Sequence, residues 1–276
     1  MKAALLQMTS GPDVGANADA LVTAVRDAAT GGADMLFTPE VSNCMGASRK
    51  VQQEILHLEE DDPTLAALCD AAAKAGVWVS VGSLALKTED ADGRFANRSF
   101  LINGAGDIVS RYDKIHMFDV DLSETESYRE SSAYRPGDRA VVAKTPWGKI
   151  GHSICYDLRF PHLYRDLAQA GADILIVPSA FARPTGEAHW HTLLRARAIE
   201  TGCFVLASAQ TGVHGESRSG PRATFGHSLA VGPWGGVLHD AGTEPGLGFV
   251  DLDLADVAKA RGKIASLTHD RPYAKP

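Results

Sequence analysis

Apolar positions recur along this chain with two periods, and their alternation predicts a repeating strand–helix scheme. Lys2–Met8 is a short apolar run cut off by Thr9, Ser10, Gly11 and Pro12, which predicts a first strand rather than the long apolar core of a signal peptide. Ala18, Leu21, Val22, Val25, Ala28 and Ala29 then share one helical face, and Gly31-Gly32 stops that helix. Asp34–Thr38 predicts a second strand, so the chain opens β-α-β, which implies parallel pairing. Pro63–Gly76 repeats the helical pattern, with Leu65, Leu68, Cys69 and Ala72 on one side, and Val77–Leu84 repeats the strand.

The middle of the chain reads differently. Phe95–Ile102 and Ile108–Tyr112 flank Asn103-Gly-Ala-Gly-Asp107, strong hairpin punctuation. Residues 117–147 are polar and irregular, a length that in a folded domain usually serves a site or a lid. The first scheme returns with a strand over 149–154, a helix near Leu163–Ala170 and a strand over Asp173–Pro178. A helix near Glu187–Thr201, a strand over Cys203–Ala209, the strand pair Gly226–Val231 and Gly236–His239, and a strand over Gly248–Asp253 follow. Residues 210–225, rich in glycine, serine and arginine, are expected to form a mobile surface loop, and a polar tail starts at about Thr268. The two halves resemble each other, which implies mixed sheets with helices outside. No Pro/Gly/Ser-rich linker interrupts them, so one domain is expected over 1–276, with a core at about 2–255 and a tail at 256–276.

Composition narrows the function classes. The 276 residues are 45% hydrophobic and 22% charged, enough for a sizeable core. Net charge is −7 and no Lys/Arg block occurs, so nucleic-acid binding has no electrostatic footprint. No apolar run approaches the roughly 20 residues a bilayer span needs, so no membrane contact is expected. The four cysteines are sparse and lack CxxC spacing, which argues against disulfides or a zinc site and for a reducing cytoplasm.

Three strand ends carry candidate chemistry. Leu36-Phe-Thr-Pro-Glu40 ends on a carboxylate, Arg111-Tyr-Asp-Lys-Ile-His116 carries an ammonium, and Gly151-His-Ser-Ile-Cys155 delivers a thiol before Tyr156-Asp157. Each alone has a plainer reading: Cys155 as a small buried hydrophobe, Glu40 as a solvated carboxylate, Lys114 as a surface lysine. Together they are the groups that acyl transfer requires, since a thiol nucleophile needs a base and its oxyanion needs a cation.

In chain order, Thr38-Pro-Glu40, Tyr112-Asp-Lys-Ile-His116 and Ile154-Cys-Tyr-Asp-Leu-Arg-Phe-Pro161 resemble the three catalytic blocks of the nitrilase superfamily of carbon–nitrogen hydrolases. The resemblance spans roughly residues 2–255 and implies a four-layer α-β-β-α sandwich, assembled as a homodimer or larger homo-oligomer. It implies that Cys155 attacks an amide carbonyl, that Glu40 is general acid and base, and that Lys114 with the N–H of Tyr156 stabilises the oxyanion. A second glutamate of the family matches Glu130 in Tyr128-Arg-Glu-Ser131, and no metal or organic cofactor is implied.

Pro184-Thr-Gly-Glu-Ala-His-Trp-His191 resembles the Nit-type amidases of the superfamily. Read from its residues, the segment is either a helix start with Thr185 as cap and Trp190 in the core, or an H-x-H metal pair lacking a third ligand. Ala209-Gln-Thr-Gly-Val-His214 and Thr224-Phe-Gly-His-Ser228 resemble the deaminated-glutathione amidase branch more than its ω-amidase neighbour. That branch implies a small anionic amide substrate, cleaved to α-ketoglutarate and Cys-Gly. A keto acid needs a cation: Arg159 is the candidate clamp, Arg183 the second choice, and Tyr156 and Thr185 complete the candidate substrate-binding set. Either arginine could instead pair with Asp157 or Glu187. Alternatives are ω-amidase or carbamoylase chemistry and a silent scaffold of the same fold; an oxidation-prone Cys155 would be a consequence of the catalytic site rather than a rival to it. The 214–222 loop is expected to shape the rim that selects the leaving group.

Overall fold

A computed structural model describes residues 1–122, 127–215 and 222–274. The first part runs β1 (Lys2–Gln7), α1 (Val14–Thr30), β2 (Met35–Phe37), α2 (Arg49–Ile55), α3 (Pro63–Ala75), β3 (Trp78–Leu86), β4 (Ala96–Ile102) and β5 (Ile108–Asp113). Next come β6 (Asp119–Asp121), β7 (Ser127–Arg129), β8 (Val142–Lys144), β9 (Lys149–Gly151), α4 (Pro161–Gln169), β10 (Ile174–Ile176) and α5 (Arg183–Thr201). The last part holds β11 (Phe204–Ala207), β12 (Thr211–His214), β13 (Arg222–Phe225), β14 (Leu229–Val231), β15 (Val237–Asp240), β16 (Gly246–Asp251) and α6 (Ala255–Lys263).

Strand alternation sets the layers. In β1, Ala3 and Leu5 face one core while Ala4 and Leu6 face another; in β11, Phe204 and Leu206 part from Val205 and Ala207 in the same way. The inner faces, with Met35, Phe37, Ile174 and Ile176, meet in one core between two sheets. The outer face of the first sheet is covered by Leu21 and Val25 of α1 and Leu65 and Leu68 of α3. The outer face of the second is covered by Leu163 and Leu167 of α4 and Trp190 and Leu194 of α5. Both faces of the central strands are thus dry, and each such leucine or isoleucine contributes roughly 1.5–3 kcal/mol on burial. The result is the expected α-β-β-α sandwich.

The two sheets are built alike. One has the order β16-β1-β2-β3-β4-β5, the other β15-β14-β11-β10-β9-β8. Read from β16 and from β8, each pairs antiparallel, parallel, parallel, antiparallel, antiparallel. The parallel strands of both sheets therefore deliver their carboxyl ends to one region.

Several expectations need correction. Strand β9 stops at Gly151, because the Ser153 hydroxyl and the Ile154 N–H turn to Ile176 O (2.7 Å) and Asp157 Oδ2 (2.9 Å). Helix α5 starts at Arg183 with Ala182 as its N-cap, so Thr185 is not the cap; its hydroxyl donates to Ala182 O at 3.1 Å inside the first turn. Residues 211–214 and 222–225 form a hairpin rather than a surface loop, and His214 is buried between Ser10 O (2.9 Å) and Thr224 Oγ1 (2.7 Å). The expected 214–222 rim loop lies largely outside the described residues. Helix α2 was not foreseen, since Arg49–Ile55 carries no apolar stripe; Ser48 caps it.

Candidate active site

Glu40 is set by the close passage of β3. A Cβ at Gly82 would lie 2.0 Å from Thr38 O and 2.4 Å from Pro39 O, so glycine alone lets β3 run against this turn. The Gly82 N–H donates to Thr38 Oγ1 (3.0 Å), and Val41, at φ +49°, donates its N–H to Ser83 Oγ (2.8 Å). Lys114 follows β5 directly, its N–H donating to Asn97 O at 3.0 Å and its carbonyl accepting from Gly137 N at 2.7 Å.

Cys155 sits on a strained elbow. Its φ is +48°, a region that costs a non-glycine residue of order 1–3 kcal/mol and that clusters at functional sites. Its N–H donates to Pro178 O at 3.0 Å, just past the end of β10. Fully buried Asp157 anchors the elbow. It accepts from Ile154 N (2.9 Å), Tyr112 OH (2.6 Å), His116 N (3.0 Å) and His116 Nδ1 (2.7 Å). One carboxylate thereby ties the thiol-bearing turn to the segment that carries Lys114.

The charged groups converge in the interior. Lys114 Nζ donates to Glu40 Oε1 (2.9 Å) and to both Glu130 oxygens (2.9 and 2.8 Å), with the lysine side chain 2% exposed. Glu40 also accepts from Asn97 Nδ2 (2.9 Å) and Ala180 N (2.8 Å), and Glu130 from Phe118 N (2.6 Å). Burial pushes the Glu40 carboxyl up, but Lys114 and the Ala180 N–H outweigh it, and the group is held below its ordinary range. Burial opposes the Lys114 charge too, yet Glu130 and Glu40 raise it well above the usual lysine value. Burial and the neighbouring Glu40 charge push the Cys155 thiol far up, and Lys114 only partly offsets them. The resting set is thus a neutral thiol, an ionised carboxylate beside it and a charged ammonium. Such a set can move a proton from sulfur to carboxylate as the sulfur attacks an electrophile.

The remaining sequence candidates divide. Tyr156 is half-buried at the elbow, its ring 5.1 Å from Phe118. Arg159 lies over the rings of Phe181 (5.4 Å) and Tyr156 (5.9 Å) and 3.4 Å from His189 Nδ1; no carboxylate among the described residues pairs with it. Arg183 is exposed and pairs with Glu187 at 3.3 Å, so the plainer reading holds there. Thr185 points back to its own helix. Sequence reasoning missed Asn97, whose amide reaches both Glu40 and Glu130 (2.9 and 3.4 Å), and Arg222, whose charge acts on Glu40. Neither had a signal, since each arrives by tertiary contact.

The H-x-H pair His189 and His191 does not converge on an ion. Instead, ligand atoms of His191, His227 and Asp240 lie within 4.8 Å of one another, a group able to hold one. His191 Nε2 and His227 Nδ1 each already meet an Asp240 oxygen, at 2.9 and 2.8 Å.

Known proteins share this arrangement of chain. The family model described as carbon–nitrogen hydrolase matches residues 2–262. The deaminated glutathione amidase of Yersinia enterocolitica is 37% identical over 97% of this chain and 92% of its own. The NitFhit protein of C. elegans superposes with a TM-score of 0.90 at 34% identity, covering 98% of this chain and 65% of that one. A glutamate-to-glutamine mutant of the amidase from Nesterenkonia sp. AN1, showing the result of Michael addition of acrylamide at the active-site cysteine, superposes with a TM-score of 0.78 at 26% identity, over 96% of this chain and 98% of that one.

Proposed function

The chain belongs to the carbon–nitrogen hydrolase family of the nitrilase superfamily, an amidase-type hydrolase of non-peptide C–N bonds, and from that premise we propose that it cleaves deaminated glutathione. The observation that carries the mechanism is the buried cluster of Glu40, Lys114 and Glu130 beside the Cys155 thiol. Cys155 Sγ adds to the amide carbonyl as its proton passes to Glu40. Lys114 and the Tyr156 N–H carry the oxyanion, each such donor being worth roughly 10²–10³ in rate. Glu40 returns the proton to the departing nitrogen as the C–N bond breaks, leaving a thioester on Cys155. Water, deprotonated by Glu40, then releases the acid, and the proton goes back to sulfur. Glu130 holds Lys114 in place.

Arg159 is the carboxylate clamp for the keto acid, supported by a guanidinium beside the elbow that has no carboxylate partner among the described residues and by its seat on two aromatic rings. No cofactor takes part in this scheme. We read residues 1–276 as one domain, supported by the single core that the two sheets share. A homodimer or larger assembly is supported by the exposed Ile199, Trp234 and Ile264 around one apolar pocket. Among the described residues no helix is long and apolar enough to cross a membrane, and we assign the cytoplasm on the four unpaired thiols.

The test is hydrolysis of deaminated glutathione and α-ketoglutaramate by the purified protein, with Cys155→Ala as blank. Faster α-ketoglutarate release from the peptide amide, absent in the variant, supports the reading. A preference for ketoglutaramate moves the protein to ω-amidase chemistry, and turnover of neither removes the keto-acid substrate.

A further inference from the structure

Two arginines stand at opposite ends of an aromatic arc beside the thiol. Arg159 lies over Tyr156, whose ring is 5.1 Å from Phe118, and Phe118 is 5.1 Å from Tyr128. Arg222, the first residue of β13, lies over that same Tyr128 ring at 5.9 Å. Both arginines also touch the segment that follows β10: Arg159 through the Phe181 ring, Arg222 by donating to Ala180 O at 3.4 Å. The Ala180 N–H is bonded to Glu40, so Arg222 stands one peptide unit from the acid–base group. Its charge helps to keep Glu40 ionised, which places it within electrostatic range of the reacting centre. Arg222 is exposed, and no carboxylate among the described residues pairs with it. In a chain of net charge −7, two guanidinium groups that flank one aromatic arc with no carboxylate partner among the described residues call for anions.

Deaminated glutathione has an anion at each end. Its acyl half carries the α-keto acid; its leaving half is Cys-Gly, whose glycine ends in a carboxylate. Extended, that dipeptide reaches about 7 Å from the scissile nitrogen, a length commensurate with one or two ring-to-ring steps of the arc. We infer that Arg222 binds the leaving-group carboxylate while Arg159 holds the acyl one, so that the site selects amides anionic on both sides of the scissile bond. This rests on the keto-acid amide reading above and extends it to the leaving group. It also distinguishes the substrate from a primary keto-acid amide, whose leaving group is ammonia and offers Arg222 nothing to hold.

The experiment compares deaminated glutathione with its C-terminal carboxamide, which removes one charge and nothing else near the bond. Wild-type protein should prefer the acid by roughly five- to tenfold in kcat/KM, mostly through KM, as befits one charged contact at a partly exposed site. Arg222→Gln should bring the two within about twofold, and Arg222→Lys should retain most of the preference. A preference that survives in folded Arg222→Gln overturns the inference, as does its absence from wild type; in both cases the amidase reading stands. Failure of wild type to cleave either compound, while it cleaves other amides, removes the keto-acid reading and the inference together. Should Arg222→Gln not fold, the wild-type ratio and that of Arg222→Lys still decide.

Discussion

Glu40 and Lys114 form an ion pair 2.9 Å long in the interior, with side chains 4% and 2% exposed. Lys114 is shared with Glu130, so two carboxylates face one ammonium, and the cluster bears a net negative charge while Cys155 stays a thiol. Ionising the sulfur would add a second uncompensated charge in a dry site, which is why the thiol is pushed up although a lysine is near.

The first prediction concerns that thiol. Because its range lies above normal, alkylation of Cys155 by iodoacetamide should be slow at pH 7 and should climb about tenfold per pH unit through pH 9. Glu40→Gln removes a nearby negative charge and should make alkylation faster at pH 8, while hydrolysis falls by roughly 10²–10⁴. A plateau in the wild-type alkylation profile near neutral pH would show that a thiolate rests in the site instead.

Asp157 should matter for stability and rate alike. Asparagine there turns one acceptor into a donor facing buried N–H and O–H groups, a change expected to cost about 2–4 kcal/mol. Urea unfolding should report a lower midpoint at unchanged slope. Tyr112→Phe should cost measurably less in the Asp157→Asn background than alone, since the two share a hydrogen bond. Additive losses would mean that the 2.6 Å contact carries no coupling energy.

Acid sensitivity should trace in part to His152. The ring is fully buried between Ser99 Oγ (3.3 Å) and Ser110 Oγ (3.2 Å), and burial pushes it down to about 4. An unfolded chain binds that proton near pH 6.5, so between about pH 6.5 and 4 the unfolded state holds more protons and stability is lost as pH falls. The loss should total about 3 kcal/mol from this one group, by order of magnitude. Denaturation midpoints of wild type and His152→Gln at pH 4, 5, 6 and 7 check it: the variant's curve should be flatter, and parallel curves would count against the assignment.

Replacing Arg159 by leucine should raise KM for keto-acid amides by roughly ten- to a hundredfold, and for a neutral amide by no more than about threefold. Equal losses on both substrates would reduce Arg159 to packing on Phe181 and Tyr156.

How far the site could be read from the chain depends on how local each signal is. Glu40, Lys114 and Cys155 each lie one to four residues past a strand end, and an apolar run that leads to one ionisable group is a local pattern. Glu130 came only through resemblance, because the short β7 before it has no apolar run to announce it. Asn97 and Arg222 carry no local mark at all, since their partners lie 57 and 42 positions away, and Asp157, named in the sequence only as a neighbour of the thiol, draws its weight from Tyr112, 45 positions away. Thr185 was misread because a threonine after a proline fits a cap by type, whereas the cap position is decided by the backbone of Ala182, bridged to Thr224. Residues 210–225 looked like a loop by composition, yet 211–214 and 222–225 pair as antiparallel strands, and His214 finds buried partners on Ser10 and Thr224.

By itself the sequence determined most of the order of strands and helices, the burial of the short strands, and the three groups delivered just past strand ends. Those follow from periodicity and punctuation, which act over a few residues. Only the tertiary structure decided that the two sheets present their parallel ends to one place, that Lys114 is shared by two carboxylates, and that Arg183 pairs with a carboxylate while Arg159 meets none among the described residues. Those outcomes depend on which distant groups meet and on how much water is left between them. Charge, burial and proton affinity are properties of that meeting, not of any one segment.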